Sequence, residues 1–161
     1  MRILGIDPGT ATVGFGAIDL DEKFEFKAVS FGTIKTKAGL PTAERLDMIY
    51  QDLREILESL RPEVVAVEQL FAFRNVTTVI SVSQARGVIL LAAHQFGCPL
   101  FDYTPMVVKM AVTGYGKAEK REVQESVRDL LGLATIPRPD DAADALAIAI
   151  CHAHHLEGRK I

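Results

Sequence analysis

The sequence predicts an α/β fold: a mixed five-stranded sheet with an antiparallel hairpin at one edge and parallel strands inside, flanked by helices. Three observations carry this. Two β-branched and aromatic runs, "TVGFGAIDL" (12–20) and "FEFKAVSFGTIKT" (24–36), flank the polar turn "DEK" in the manner of a hairpin. The run "VVAVE" (64–68) is wholly apolar up to its final glutamate, as strands buried on both faces of a parallel sheet are. Stretches with apolar residues three and four apart alternate with the later strands, giving the order β-β-β-α-β-α-β-α-α-α.

Each element has its own signals. "RILGID" (2–7) is a short apolar strand ended by Pro8-Gly9, and the hairpin runs follow it. Pro41 opens a helix to about Leu60, with Leu46, Ile49, Leu53, Ile56, Leu57 and Leu60 on one face and charges on the other. "RPE" ends it and leads into 64–68. A second long helix runs from about Val76 to Gln95 and is apolar around much of its circumference. Gly87 lies in its middle, where glycine costs about 1 kcal/mol relative to alanine, so close packing of another element is expected there. "CPLFDYT" is a further strand, Pro105 starts a short helix, and "GYGKAEK" is a glycine-rich connection. A polar helix covers about 119–131, and after "GLATIPRP" a last helix runs from about Asp141 to His155.

The 161 residues fit one domain, expected over 1–156 with a short tail at 157–161. The opening "MRILGIDPGT" breaks at Pro8-Gly9 and is no signal peptide, and the longest apolar run, "GVILLAA", is too short to span a bilayer. Cys98 and Cys151 read as reduced thiols. A cytoplasmic protein with no membrane partner is expected. The net charge of −3 argues mildly against nucleic acid. Its distribution argues the other way: residues 71–128 hold Arg74, Arg86, Lys109, Lys117, Lys120, Arg121 and Arg128 against four acids.

The acids at the ends of elements carry the chemistry. Asp7 closes the first strand and Glu68 closes 64–68, and the carboxyl ends of strands are where open α/β sheets bind ligands. A turn-initiating aspartate before Pro-Gly explains Asp7 about as well. Packing does not explain Glu68, because glutamate is a poor strand residue. Asp141 and Asp144 share one face at the start of the last helix, where capping alone is a sufficient account. Asp140, directly after Pro139, reads as the cap. Converged, Asp7, Glu68, Asp141 and Asp144 would repel one another, and divalent cations would remove the conflict. Two such ions about 4 Å apart support phosphodiester cleavage, so the carboxylates point to a metal-dependent nuclease.

These residues lie in segments that match a known pattern. "GIDPGTATVGFGAI", "AVEQLFAFRNVTTVISVSQARGVILLAA", "VTGYGKAEKREVQ" and "DDAADALAIAICHAH" closely resemble, in order and spacing, the RuvC family of bacterial Holliday-junction resolvases. The resemblance covers about residues 1–155. It implies a ribonuclease-H-like three-layer fold and a homodimer that makes paired symmetric nicks in four-way junction DNA. It also implies two Mg²⁺ ions per subunit, with Mn²⁺ as a substitute, and a branch-migration motor complex of the RuvA and RuvB type as partner. On the matched positions it implies Asp7, Glu68, Asp141 and Asp144 as metal ligands, and Lys109 and Lys120 near the scissile phosphate. Phe71 would stack on bases near the junction centre, with Arg74 and Lys117 as further DNA contacts. The helix around "QARGVILLAA" would be the dimer element.

The same residues suggest two rival functions. "GIDPGT" also resembles the phosphate loop of actin–sugar-kinase proteins, but those need a duplicated second subdomain, for which 161 residues leave no room. A junction-binding protein without cleavage would gain nothing from four acids near phosphate. In "CHAHH" the histidines sit at a helix C-terminus, which the dipole favours, so a zinc site is the lesser reading.

Overall fold

The computed structural model describes residues 1–70 and 75–158. Five strands form one sheet: β1 (Arg2–Asp7), β2 (Thr12–Leu20), β3 (Phe26–Lys35), β4 (Val64–Glu68) and β5 (Leu100–Tyr103). Their order is β3-β2-β1-β4-β5. β1 and β3 both pair with β2 antiparallel, whereas β4 pairs with β1 and with β5 in parallel. The hairpin thus occupies one edge and β1 and β4 lie inside. The helices are α1 (Thr42–Leu60), α2 (Val76–Phe96), α3 (Pro105–Thr113), α4 (Lys120–Leu130) and α5 (Asp140–Gly158). Their boundaries fall within one or two residues of the expected ones, except that α5 runs three residues beyond His155.

Alternation along the strands divides the core into two halves. Leu4 and Ile6 of β1, with Val65 and Val67 of β4, pack against Ile49, Leu53 and Leu57 of α1 and Ala85, Ile89, Ala92 and Ala93 of α2. Ile3, Val64 and Ala66 face the opposite way, against α3, α4 and α5. The result is three layers, helices on both faces of a twisted mixed sheet.

α5 lies unusually close to the sheet, and small residues on both sides allow it. A Cβ built at Gly5 would come 2.0 Å from the Ala145 carbonyl oxygen, and one at Gly14 would come 2.0 Å from the Asp141 carbonyl oxygen. At Gly16 it would meet Leu146 Cγ at 2.7 Å. The alanine-rich run "DDAADALAIAI" provides the matching smooth surface, and Ala142, Ala145 and Ala149 are fully buried. This contact fixes where the acids of α5 stand relative to β1.

Gly87 differs from expectation. Among the described residues, no atom from outside its own stretch of helix lies within 4 Å of the position its Cβ would take, so no described element packs on it. It lies instead on an outward face of α2 with Val76, Ile80 and Leu91, which are 74%, 55% and 50% exposed. By length and composition alone α2 could cross a membrane. Its opposite face, however, is built into the core.

Candidate metal centre

β1 and β4 run in the register Ile3↔Val64 to Ile6↔Val67, so they reach their carboxyl ends together, at Asp7 and Glu68. By strand alternation Asp7 shares the face of Ile3 and Gly5, and Glu68 shares that of Val64 and Ala66. Both carboxylates therefore stand on the α5 side of the sheet. Helix α5 supplies Asp141 and Asp144 from its first turns, three residues apart and on one face. Asp7, Asp141 and Asp144 each offer a carboxylate oxygen within 4.8 Å of the others. Glu68 stands beside this trio. It lines a cavity of about 220 Å³ with Asp144, Lys109, Lys120 and the apolar side chains of Val108 and Val123.

The electrostatics are those of a site short of positive charge. Burial pushes the Asp7 carboxyl up to about 8, helped by the charges of Glu68, Asp144 and Asp141 and opposed by Lys120. Burial likewise raises Glu68 to about 7, helped by Asp144 and opposed by Lys109. Asp144 is raised by burial despite its contact with Lys120. Groups that resist ionisation in this way make a donor set of hard oxygens that a divalent cation would both neutralise and satisfy. The residues fit such an ion.

Lys120 is placed against its helix. It is the first residue of α4, where the dipole disfavours a cation. A capping box between Glu119 and Glu122 secures that helix end. The Lys120 ammonium instead reaches the acids, 3.3 Å from Asp144 and 3.6 Å from Asp140. Burial opposes its charge, but Asp144, Asp140 and Asp141 outweigh that and leave its pKa raised. Lys109 projects from α3 and borders the same cavity. Lys117 is exposed in the α3–α4 connection. Phe71 and Arg74 lie outside the described residues.

Asp140 does not cap α5. The first turn is closed by the Pro139 carbonyl, which accepts the N–H groups of Ala142 at 3.0 Å and Ala143 at 3.4 Å. The Asp140 carboxylate is engaged by Arg138 and by Lys120, because two cations at hand compete for it better than a backbone dipole does. Together they hold it below the usual carboxylate range against the opposing effect of desolvation. Asp140 and Arg138 thus position Lys120 from outside the trio.

A further buttress was invisible in the spacing of residues. Arg86 of α2 donates to the Glu68 carbonyl oxygen at 3.3 Å and pairs with Asp102 of β5. It ties the last residue of β4 to the neighbouring strand. The only sequence signal for it was the "QARG" segment within the resemblance. The histidines of α5 have separate partners: His152 Nδ1 lies 2.7 Å from the Tyr103 hydroxyl, and His154 Nδ1 lies 2.9 Å from the Ala111 carbonyl oxygen. His155 packs against the Tyr103 ring.

Comparison with known proteins decides the family. The family model for crossover junction endodeoxyribonuclease RuvC matches residues 3–152. The chain belongs to the RuvC family. It is 57% identical over 154 residues to the crossover junction endodeoxyribonuclease RuvC of Chloroflexus aurantiacus, covering 96% of this chain and 93% of that one. With the RuvC of Brevibacillus brevis it shares 55% over 153 residues, 95% of this chain and 92% of that one. Among solved structures, Thermus thermophilus RuvC superposes with a TM-score of 0.91 at 39% identity over 99% of this chain and 97% of that one. A second structure, T. thermophilus RuvC in complex with a Holliday junction substrate, gives 0.89 at 37% identity over 98% of this chain and 96% of that one. The yeast mitochondrial Holliday junction resolvase Ydc2 shares the fold, with a TM-score of 0.72 at 13% identity over 98% of this chain and 80% of that one. The ribonuclease-H-like α/β architecture expected from the sequence is therefore that of RuvC.

Proposed function

We infer that this RuvC protein is a structure-specific endonuclease that resolves four-way DNA junctions in recombination and repair. One observation carries the reading: Asp7, Asp141 and Asp144, brought from a strand end and a helix start, converge within 4.8 Å in a chain of this family. Asp7, Glu68, Asp141 and Asp144 would hold divalent cations, Mg²⁺ in the first place, two per subunit, with Mn²⁺ able to replace them. Bound there, such ions supply an activated water and stabilise the leaving oxygen of a phosphodiester.

The protein's own residues do the rest. The carboxylates, fixed by α5 against the sheet, would hold and orient the ions. Lys120 from α4 and Lys109 from α3, which both line the cavity, neutralise charge on the phosphate. Asp144 and Asp140 keep Lys120 charged and in place, Arg138 holds Asp140, and Arg86 holds the β4 end that carries Glu68. Lys117, with Arg74 and Phe71, would extend the contact along the DNA.

We assign the outward face of α2 to a second copy of the chain. Val76, Ile80, Gly87 and Leu91 fall on one face of that helix, large apolar groups around a glycine that admits close approach. A two-fold dimer would present two centres, one for each strand nicked. A branch-migration complex of the RuvA and RuvB type is the partner that would bring the junction, and the cytoplasm is the compartment.

Replacing Asp7 by asparagine tests the centre. Asp7→Asn is expected to bind a four-way junction at least as well as the parent and to lower cleavage about a thousandfold, equivalent to ~4 kcal/mol of lost transition-state stabilisation. Cleavage at the parent rate would remove Asp7 from the mechanism.

A further inference from the structure

Three large apolar side chains stand exposed together near, but outside, the carboxylate centre. Met106 is 62% exposed, Met110 53% and Tyr115 58%. Met106 and Met110 are one turn apart on α3 and share a face. The glycine-rich connection folds back on them. A Cβ at Gly116 would come 2.9 Å from Met106 Cγ and 3.7 Å from Met110 Cε. The φ of Gly116 is not in the left-handed region, unlike that of Gly114. Its missing side chain therefore answers a need for space.

A cavity of about 420 Å³ opens at this point, lined by Thr104, Pro105, Met106, Lys109 and Gly116. Pro105 and Lys109 also line the smaller cavity over Glu68 and Asp144. The two spaces meet at Lys109, with acids on one side and thioether and proline surface on the other. Lys109 itself lines the larger cavity beside Pro105 and Met106, so the groove has an apolar floor and a cationic margin. That combination matches a nucleotide: a flat apolar base joined to an anionic phosphate.

We propose that this groove is a nucleobase subsite, which takes an unstacked base of the junction strand beside the phosphate that is cut. The proposal rests on the nuclease reading given above. A base inside continuous duplex is covered on both faces and cannot enter a lateral groove. Bases next to a strand exchange have lost a stacking neighbour and can. The base seats against Met106 and Pro105, and its phosphate faces Lys109. The subsite thus adds to junction selectivity, and its shape makes the cleavage rate depend on which base lies there.

The test uses the full chain, four-way junctions carrying 2-aminopurine at single positions around the cut, and Ca²⁺ in place of Mg²⁺ to hold the strands intact. The parent protein is expected to change the fluorescence at one of these positions at least twofold. Met106→Leu is expected to keep that change. Met106→Glu, which puts a carboxylate into the groove, is expected to abolish it. In Mg²⁺, Met106→Glu should cut about tenfold more slowly and discriminate less among junctions that differ in the flanking base. Its thermal stability and metal-induced stabilisation should match the parent, because Met106 is exposed and is not among the metal-binding acids. If the parent cuts junctions and Met106→Glu equals it in fluorescence change, rate and preference, the subsite is refuted and the patch serves something other than DNA, such as a protein partner. If the parent itself cuts no junction, the nuclease reading fails and the subsite fails with it.

Discussion

Asp7 and Glu68 are held near 8 and 7 by burial and by each other's neighbours, and this makes the metal-free fold sensitive to pH. In the unfolded chain both groups titrate near 4, so the folded protein holds more protons than the unfolded one between about pH 4 and pH 8. Stability is therefore highest at the acid end of that window and is lost as pH rises through the folded values. Carboxylates with lowered values, such as Asp19 beside Arg2, act in the opposite sense but only below about pH 4. Metal-free protein should lose about 5 kcal/mol between pH 5.5 and pH 8, roughly 10–20 °C in Tm. Mg²⁺ should restore it at pH 8 and do little at pH 5.5, where protons occupy the same oxygens. Thermal melts at the two pH values, with Mg²⁺ and with EDTA, check this. A metal-free Tm that rises towards pH 8 would mean that the acids are not destabilised. At this scale the sequence singled out four acids, and the structure brings Asp7, Asp141 and Asp144 together with Glu68 beside them. The sequence misplaced Asp140, because it could not show Arg138 and Lys120 reaching the carboxylate that would otherwise cap a helix.

At the scale of elements, the site depends on one contact, α5 against the glycines of β1 and β2. The gap at Gly14 is the critical one, since a methyl there would lie 2.0 Å from the backbone of Asp141 itself. Gly14→Ala is expected to destabilise the fold by about 1–3 kcal/mol through overpacking. By shifting Asp141 relative to Asp7 it should also cut activity on the order of a hundredfold, the effect of misplacing a reacting group by about 1 Å. Urea denaturation and junction cleavage measured on the same variant check both parts. A variant with parental activity would show that the α5 position is not what sets the centre. Strands and helices were legible because their periodicities and punctuation are local: Pro41 and Pro105 mark helix starts that the structure reproduces. The depth of the α5 contact was not legible, because Gly5, Gly14 and Gly16 in strands and alanines in a helix become complementary only once the topology brings them together. The Arg86–Asp102 pair escaped notice for the same reason, its residues lying on a helix and a strand of different periodicity.

For the whole molecule, the open question is what covers α2. The sequence pointed to Gly87 as a packing position, and among the described residues nothing packs on it, which leaves that face for a contact from outside. A second copy of the chain is the proposed cover. Leu91→Glu, at a position 50% exposed in the single chain, should leave the fold intact and convert a dimer to a monomer in sedimentation. Its nicks on a junction should then fall singly, not in pairs. A parent protein that sediments as a monomer at micromolar concentration would overturn this assignment.

A metal-dependent cutter of branched DNA built on four acids can be recognised in a single gel assay. Purified protein is incubated with a mobile four-way junction or with linear duplex of the same sequences, in Mg²⁺ or in EDTA. Symmetric, ligatable nicks are expected in the junction with Mg²⁺, none in EDTA, and little or no cutting of the linear duplex. Equal cutting of both DNAs, or junction cutting that persists in EDTA, would contradict it.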